Sequence, residues 1–100
     1  MVAWCYVKVH KHGKDTVVAL CDEHLLGKEL EGGGFKLRIS YEFYGGSRIP
    51  IEQLWEYVDK ATVVNAFGEG VVSELAKRIP VVKFAAVTID GVPHVQILLK

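Results

Sequence analysis

Residues 2–21, VAWCYVKVHKHGKDTVVALC, set β-branched and aromatic side chains on either side of one glycine. That is the pattern of two strands folded back through a turn. With His12-Gly13 as a two-residue turn, the pairing puts Cys5, Val7, Val9, Thr16, Val18 and Leu20 on one face. Trp4, Tyr6, Lys8 and His10 share the other. The first set is a core face. The second mixes rings, an ammonium group and an imidazole, a combination that asks for a partner. In this register Cys5 and Cys21 point to opposite faces.

Outward from the hairpin, Asp22 is placed to cap a short helical turn through Glu23-His24-Leu25-Leu26, which Gly27 ends. Gly32-Gly33-Gly34 reads as a flexible loop, and Phe35, Leu37 and Ile39 alternate with Lys36, Arg38 and Ser40 as in a half-buried strand. YEFYGGSRIP reads as an irregular aromatic loop. Ile51, Leu54, Trp55 and Val58 have helical spacing behind Pro50. ATVVNAF predicts a short strand, and Val71, Val72, Leu75, Ala76 and Ile79 form a helical stripe that Pro80 stops. KFAAVTI and PHVQILL are strand-like, and Asp90-Gly91 between them is a strong hairpin signal. The sum is an α+β domain with a mostly antiparallel sheet, built from N- and C-terminal β-hairpins with two helices packed on one side and the other side partly open.

The 100 residues suffice for a single domain, residues 1–100, with one modest core. Twelve basic residues balance twelve acidic ones. A formal charge of zero argues against a general nucleic-acid coating protein, which works by neutralising phosphates, and leaves room for a local basic patch. No stretch approaches the roughly 20 apolar residues that span a bilayer, and the N-terminus lacks a leader pattern, so a cytoplasmic protein without membrane partners is expected. Cys5 and Cys21 are then thiols rather than a disulfide.

Several groups of residues carry chemistry. Lys8, His10, Lys11, His12 and Lys14 collect around Trp4 and Tyr6. Such lysines hold phosphates while rings stack bases, as in single-strand binders; a solvated hairpin tip accounts for the same residues. His10, His12, Cys21 and His24 are zinc-type ligands, yet their spacings match no usual zinc pattern, and no metal or other cofactor is expected. Asn65-Ala66-Phe67-Gly68-Glu69-Gly70 is a strand-to-helix turn whose amides could cradle an anion, although a tight turn with Asn65 bonding the backbone explains it too. Tyr44 and Arg48 flank Gly45-Gly46 and offer a ring and a fork of donors. Pro93 gives His94 a rigid mount near the start of the last strand.

The ordered motifs VKVH, CDEHLLGK, YEFYGG, ATVVNAFGEGVV and GVPHVQ resemble an archaeal family of unknown function, DUF424, from about Tyr6 to Ile97. The family motifs fall on Lys8, His10, Cys21, Asp22, Leu25, Gly27, Tyr44, Gly46, Asn65, Gly68, Glu69, Gly91, Pro93 and His94. The resemblance implies a single-domain cytosolic archaeal protein with a link to RNA or translation, and it supplies no catalytic residue. Gly32-Gly33-Gly34 and Lys11-His12-Gly13-Lys14 look particular to this chain, so no family role passes to His12 or Lys14.

The leading expectation is a binding protein rather than an enzyme. Trp4, Tyr6, Lys8, His10, Arg38, Tyr44, Arg48, Asn65, Gly68 and His94 are its candidate ligand-binding residues, and RNA or a phosphate-bearing ligand is the partner. Binding of this kind weakens steeply with salt. One alternative is a small enzyme with His94 or His10 as general base and Asn65 with the Gly68–Gly70 amides as an anion site. Another is a homodimer or protein-interaction module that buries the Trp4 and Tyr6 face.

Overall fold

In the computed structural model, which describes residues 3–100, the opening stretch is a hairpin of β1 (Trp4–His12) and β2 (Asp15–Asp22). Val2 lies outside the described residues. His12 pairs with Asp15, so the turn is Gly13-Lys14, one residue later than the sequence suggested. The pairing therefore slips by two. Because side chains alternate with period two, a slip of two leaves every residue on its expected face. Cys5, Val7, Val18 and Leu20 enter one core cluster and Cys21 the other.

After a 3₁₀ turn at Glu23–Leu25 come β3 (Glu29–Gly32), β4 (Phe35–Arg38), the single-turn helix α1 (Tyr41–Tyr44) and β5 (Ser47–Pro50). A 3₁₀ turn at Ile51–Leu54 runs into α2 (Trp55–Val58), followed by β6 (Val63–Phe67) and α3 (Glu69–Ala76). The chain ends with α4 (Val82–Ala85), β7 (Val87–Ile89) and β8 (Val92–Leu98). Six strands form one sheet in the order β5-β1-β2-β6-β8-β7, antiparallel except where β2 meets β6. The fold is α+β with a mostly antiparallel sheet.

Four local readings are corrected. Gly33-Gly34 is no flexible loop: Gly32 pairs with Phe35 across it, and β3 and β4 form a separate two-stranded sheet. YEFY is a helical turn whose N-terminus Ser40 caps, its hydroxyl accepting from the Phe43 amide at 3.2 Å. SRIP is an edge strand, with Pro50 at its end where a missing N–H costs least. The apolar run before Val87 begins as the turn of α4 rather than as strand, an ambiguity that short apolar runs carry.

Burial explains the two-sided sheet. Val7, Val18, Leu20, Val64, Ala66, Val95 and Ile97 face Leu54, Trp55, Val58, Val71, Leu75 and Val82 from the 3₁₀ segment, α2, α3 and α4. On the opposite face Ala19, Cys21 and Phe67 meet Leu25, Leu30, Ile39 and Tyr44. The β3–β4 hairpin and α1 thus cover part of a face that the sequence left more open. No helix among the described residues is long and apolar enough to cross a membrane.

Candidate functional site

The strand register arranges the second face as rows. Tyr6, Cys21, Phe67 and His94 are successive partners across β1, β2, β6 and β8, with Arg48 beside Tyr6 on β5. Lys8, Ala19, Asn65 and Gln96 make the next row, and His10, Val17, Val63 and Leu98 the one after. Tyr6, Lys8, His10, Arg48, Asn65 and His94 are therefore on one sheet face, with Trp4 at its end. Tyr44 reaches the same face from α1, where its hydroxyl donates to Asn65 Oδ1. Arg38 does not join them: it sits on the β3–β4 hairpin, 3.8 Å from Glu29.

A chain of rings crosses this face. His10 stacks on Phe43 at 4.6 Å, Phe43 meets Tyr44 edge-on at 4.9 Å, Tyr44 meets Phe67 at 5.7 Å, and Phe67 stacks on His94 at 4.0 Å. A carbonyl can only accept, so the bond of His94 Nδ1 to the Ala66 oxygen at 2.9 Å fixes the Nδ1–H tautomer. Nε2 is left as an acceptor reaching solvent, since no buried side-chain nitrogen or oxygen among the described residues lacks a partner. Burial holds the His94 pKa below its ordinary value, and the bond to Ala66 offsets part of that shift. Burial also pushes the Tyr44 hydroxyl pKa upward, with a smaller contribution from Cys21, so this group acts as a donor.

Asn65 carries the polar network further. Its Nδ2 donates to Gln96 Oε1 at 2.9 Å, so a directional chain runs from Tyr44 through Asn65 to Gln96. Gln96 is exposed, and its amide N–H groups end the chain at the surface. Beside it Val17 and Val63 are only half buried and Leu98 is 76 % exposed. The result is a shelf: an apolar floor, a paired-amide edge, and a histidine at either end. Gln96 carries no signal of its own, being one of the alternating residues of the last strand; only its pairing with Asn65 reveals it.

The basic side chains of the face already have partners. Lys8 Nζ donates to the Glu42 carbonyl at 2.7 Å and His10 Nε2 to the Phe43 carbonyl at 2.8 Å. Both oxygens belong to the end of α1, where helix carbonyls lack partners and positive charge is favoured. Arg48 lies 4.0 Å over the Trp4 ring and pairs with Glu23. These residues first of all fasten α1 and the strand ends to the sheet.

The anion cradle expected at Gly68–Gly70 is filled from within. Asp22 is 7 % exposed, and its oxygens accept from the amides of Gly70 and Val71, each at 2.8 Å. The Gly68 amide donates to the Pro93 carbonyl at 2.8 Å. Asp22 makes no cap to the 3₁₀ turn that follows it; it caps α3 instead. Gly68 has φ 121°, and a Cβ there would lie 2.4 Å from Asp22 Cγ, so the two glycines clear room for this carboxylate. Asn65 bonds Tyr44 and Gln96 rather than the backbone of the turn.

The enzyme arrangement does not assemble, because, of the amides assigned to its anion site, that of Gly70 donates to Asp22 and that of Gly68 to the Pro93 carbonyl. His10 and His94 are separated by three strand spacings, about 14 Å across the sheet, and by two further rows along the strands, too far to act across one bond. Among the described residues no group of three or more His, Cys, Asp or Glu converges as metal ligands. His10 and Cys21, from the zinc-type set, are respectively stacked on Phe43 and buried in the core.

Comparison with known proteins adds family without activity. Residues 9–99 match the family described as a protein of unknown function, DUF424. A crystal structure of an uncharacterized conserved protein from Methanopyrus kandleri is similar, with 33 % sequence identity and a TM-score of 0.80. The match covers 95 % of this chain and 90 % of that one. No curated protein matches.

Proposed function

The chain belongs to DUF424, a family of proteins of unknown function, and from that premise we propose that it binds single-stranded RNA on the open half of its sheet face. The observation that carries the reading is the Asn65–Gln96 amide pair beside the apolar floor of Val17, Val63 and Leu98. Unstacked bases offer flat faces and hydrogen-bonding edges together, and sheet surfaces with rings and amides accommodate both. His10 and His94 bound the shelf, and Lys8 lies in the same row as the amides.

This geometry changes the expected salt response. With Arg38 off the face and Lys8 and Arg48 partly engaged by the protein, about two phosphates are neutralised, which gives a log–log salt slope of about −1.4 for a single strand. Base contacts rather than charge supply most of the binding. The test is retention of a mixed-sequence oligoribonucleotide pool at two salt concentrations by the wild type and by Gln96→Ala. A shallow salt slope and a loss of about tenfold in the variant are expected. Absence of retention, or unchanged binding by Gln96→Ala, overturns the reading. The exposure of Leu98 favours one rival, a second protein chain on the same shelf. A dimeric mass that Leu98→Asp reduces to monomer would establish that rival.

A further inference from the structure

On the other side of the sheet, the far half of β1–β2 and the end of α2 enclose a cavity of about 370 Å³, within the range of small-molecule sites. Val9, Lys11, Thr16, Glu56, Tyr57 and Lys60 line it. Val9 belongs to the core-facing side of β1 yet is 41 % exposed, because the core ends at Val7 and Val18 and the helices do not reach over it. The walls are tied together. Thr62 N donates to the Thr16 carbonyl at 2.9 Å, Thr16 N donates to Thr62 Oγ1 at 2.9 Å, and Lys60 N donates to the Tyr57 carbonyl at 3.2 Å.

Some of the basic residues are engaged within the chain, whereas others, Lys14, Lys28 and Lys83 as well as those on this rim, take part in no ion pair among the described residues. Lys8, Lys36, Arg38, Arg48 and Lys77 each have a partner within the chain. Among the described residues Lys11, Lys60 and Glu56 take part in no ion pair. Two ammonium groups and one carboxylate give the lining a net charge of +1. A ligand that neutralises all three groups carries two negative charges and one positive. A phosphate monoester meets the lysines and leaves Glu56 facing a dianion. An amino-dicarboxylate satisfies every group.

We propose that this cavity binds a free acidic amino acid. Its two carboxylates pair with Lys11 and Lys60, its ammonium group pairs with Glu56 against the Tyr57 ring, and its methylenes rest on Val9. The rim is exposed and screened by water, which sets the affinity at about the millimolar level. The site is independent of the shelf on the opposite face.

The test is an amide chemical-shift titration with glutamate, aspartate, glutarate and glutamine, on the wild type and on Glu56→Gln and Lys60→Gln. Glutamate or aspartate is expected to move the amides of Val9, Lys11, Thr16 and Lys60 saturably. Glutarate, which lacks the ammonium group, and glutamine, which lacks the second carboxylate, should each bind about tenfold more weakly. Glu56→Gln should weaken glutamate and strengthen glutarate, whereas Lys60→Gln should weaken both. No saturable shift with either acidic amino acid, or equal binding of glutarate and glutamate, overturns the proposal. Because all three rim charges are exposed, the variants retain the fold, and a superimposable amide spectrum away from the cavity verifies it.

Discussion

Asp22 holds a helix that begins far along the chain: its carboxylate accepts from Gly70, 48 residues on, and from Val71. Asp22→Ala orphans both amides in a buried setting and should lower unfolding stability by about 2–3 kcal/mol in denaturant titration. Asp22→Asn retains one acceptor and should cost about half as much. Gly68→Ala meets both a left-handed backbone and the Asp22 carboxylate, with an expected cost of about 3 kcal/mol. The collision disappears when Asp22 is Ala. The double variant should therefore be about 1 kcal/mol more stable than the two losses added together, and strict additivity would separate the glycine from the carboxylate. His94 gives a second residue-level expectation. Burial favours its neutral form in the folded state, so the unfolded chain binds the proton more readily. Stability should fall as pH drops through about 6.5 toward the lower folded value, and His94→Gln should flatten that part of the stability curve.

At the scale of elements, α3 is fixed at its other end by Glu74, which accepts from Trp55 Nε1 at 2.9 Å and from Lys77 at 2.8 Å. The Lys77 hydrogen bond, then the one from Trp55, holds the Glu74 pKa below the usual carboxylate range, against a smaller opposing effect of burial. Its stabilising contribution is present above the ordinary carboxylate value and is lost as pH falls through the folded one. Glu74→Gln should make stability less sensitive to acid, with the shift of Trp55 fluorescence reporting the loosened contact. Hairpins were legible from sequence because their signals are local. Asp90-Gly91 sits in the turn between Ile89 and Val92 with φ 52° and 76°, the positive pair that this short connection requires. The second hairpin was hidden because Gly33-Gly34 signals both a loose loop and a tight turn, and its strands have four residues each. The candidate face was legible for the same reason as β1: alternation alone puts Trp4, Tyr6, Lys8 and His10 together. What its basic side chains touch was not legible, because Glu42 and Phe43 lie 34 and 33 residues from Lys8 and His10. Asp22 is a capping residue by type, but sequence proximity points to the adjacent turn, whereas the helix it caps lies 48 residues on.

Across the whole molecule, the sheet is the shared wall of two core clusters, and the thiols sample one each: Cys5 lies under the helices and Cys21 beneath the β3–β4 side. Desolvation, reinforced by Asp22, pushes both pKa values up to about 12, so neither thiol reacts in the folded state. If the two layers open together, both should be labelled by a thiol reagent at one rate that follows global unfolding. Faster labelling of Cys21 would show that the β3–β4 layer peels away first. The parallel pairing of β2 with β6 has a consequence for how the chain reaches this state. It joins Val17–Cys21 to Val63–Phe67, and the neighbouring Thr16–Thr62 bond closes a separation of 46 residues. On a ribosome the N-terminal hairpin can form as soon as it emerges, but the centre of the sheet stays empty until Phe67 is clear of the exit tunnel. During that interval the unpaired edge of β2 is open to any passing strand, and the time spent waiting, rather than the final stability, sets the exposure to misassembly.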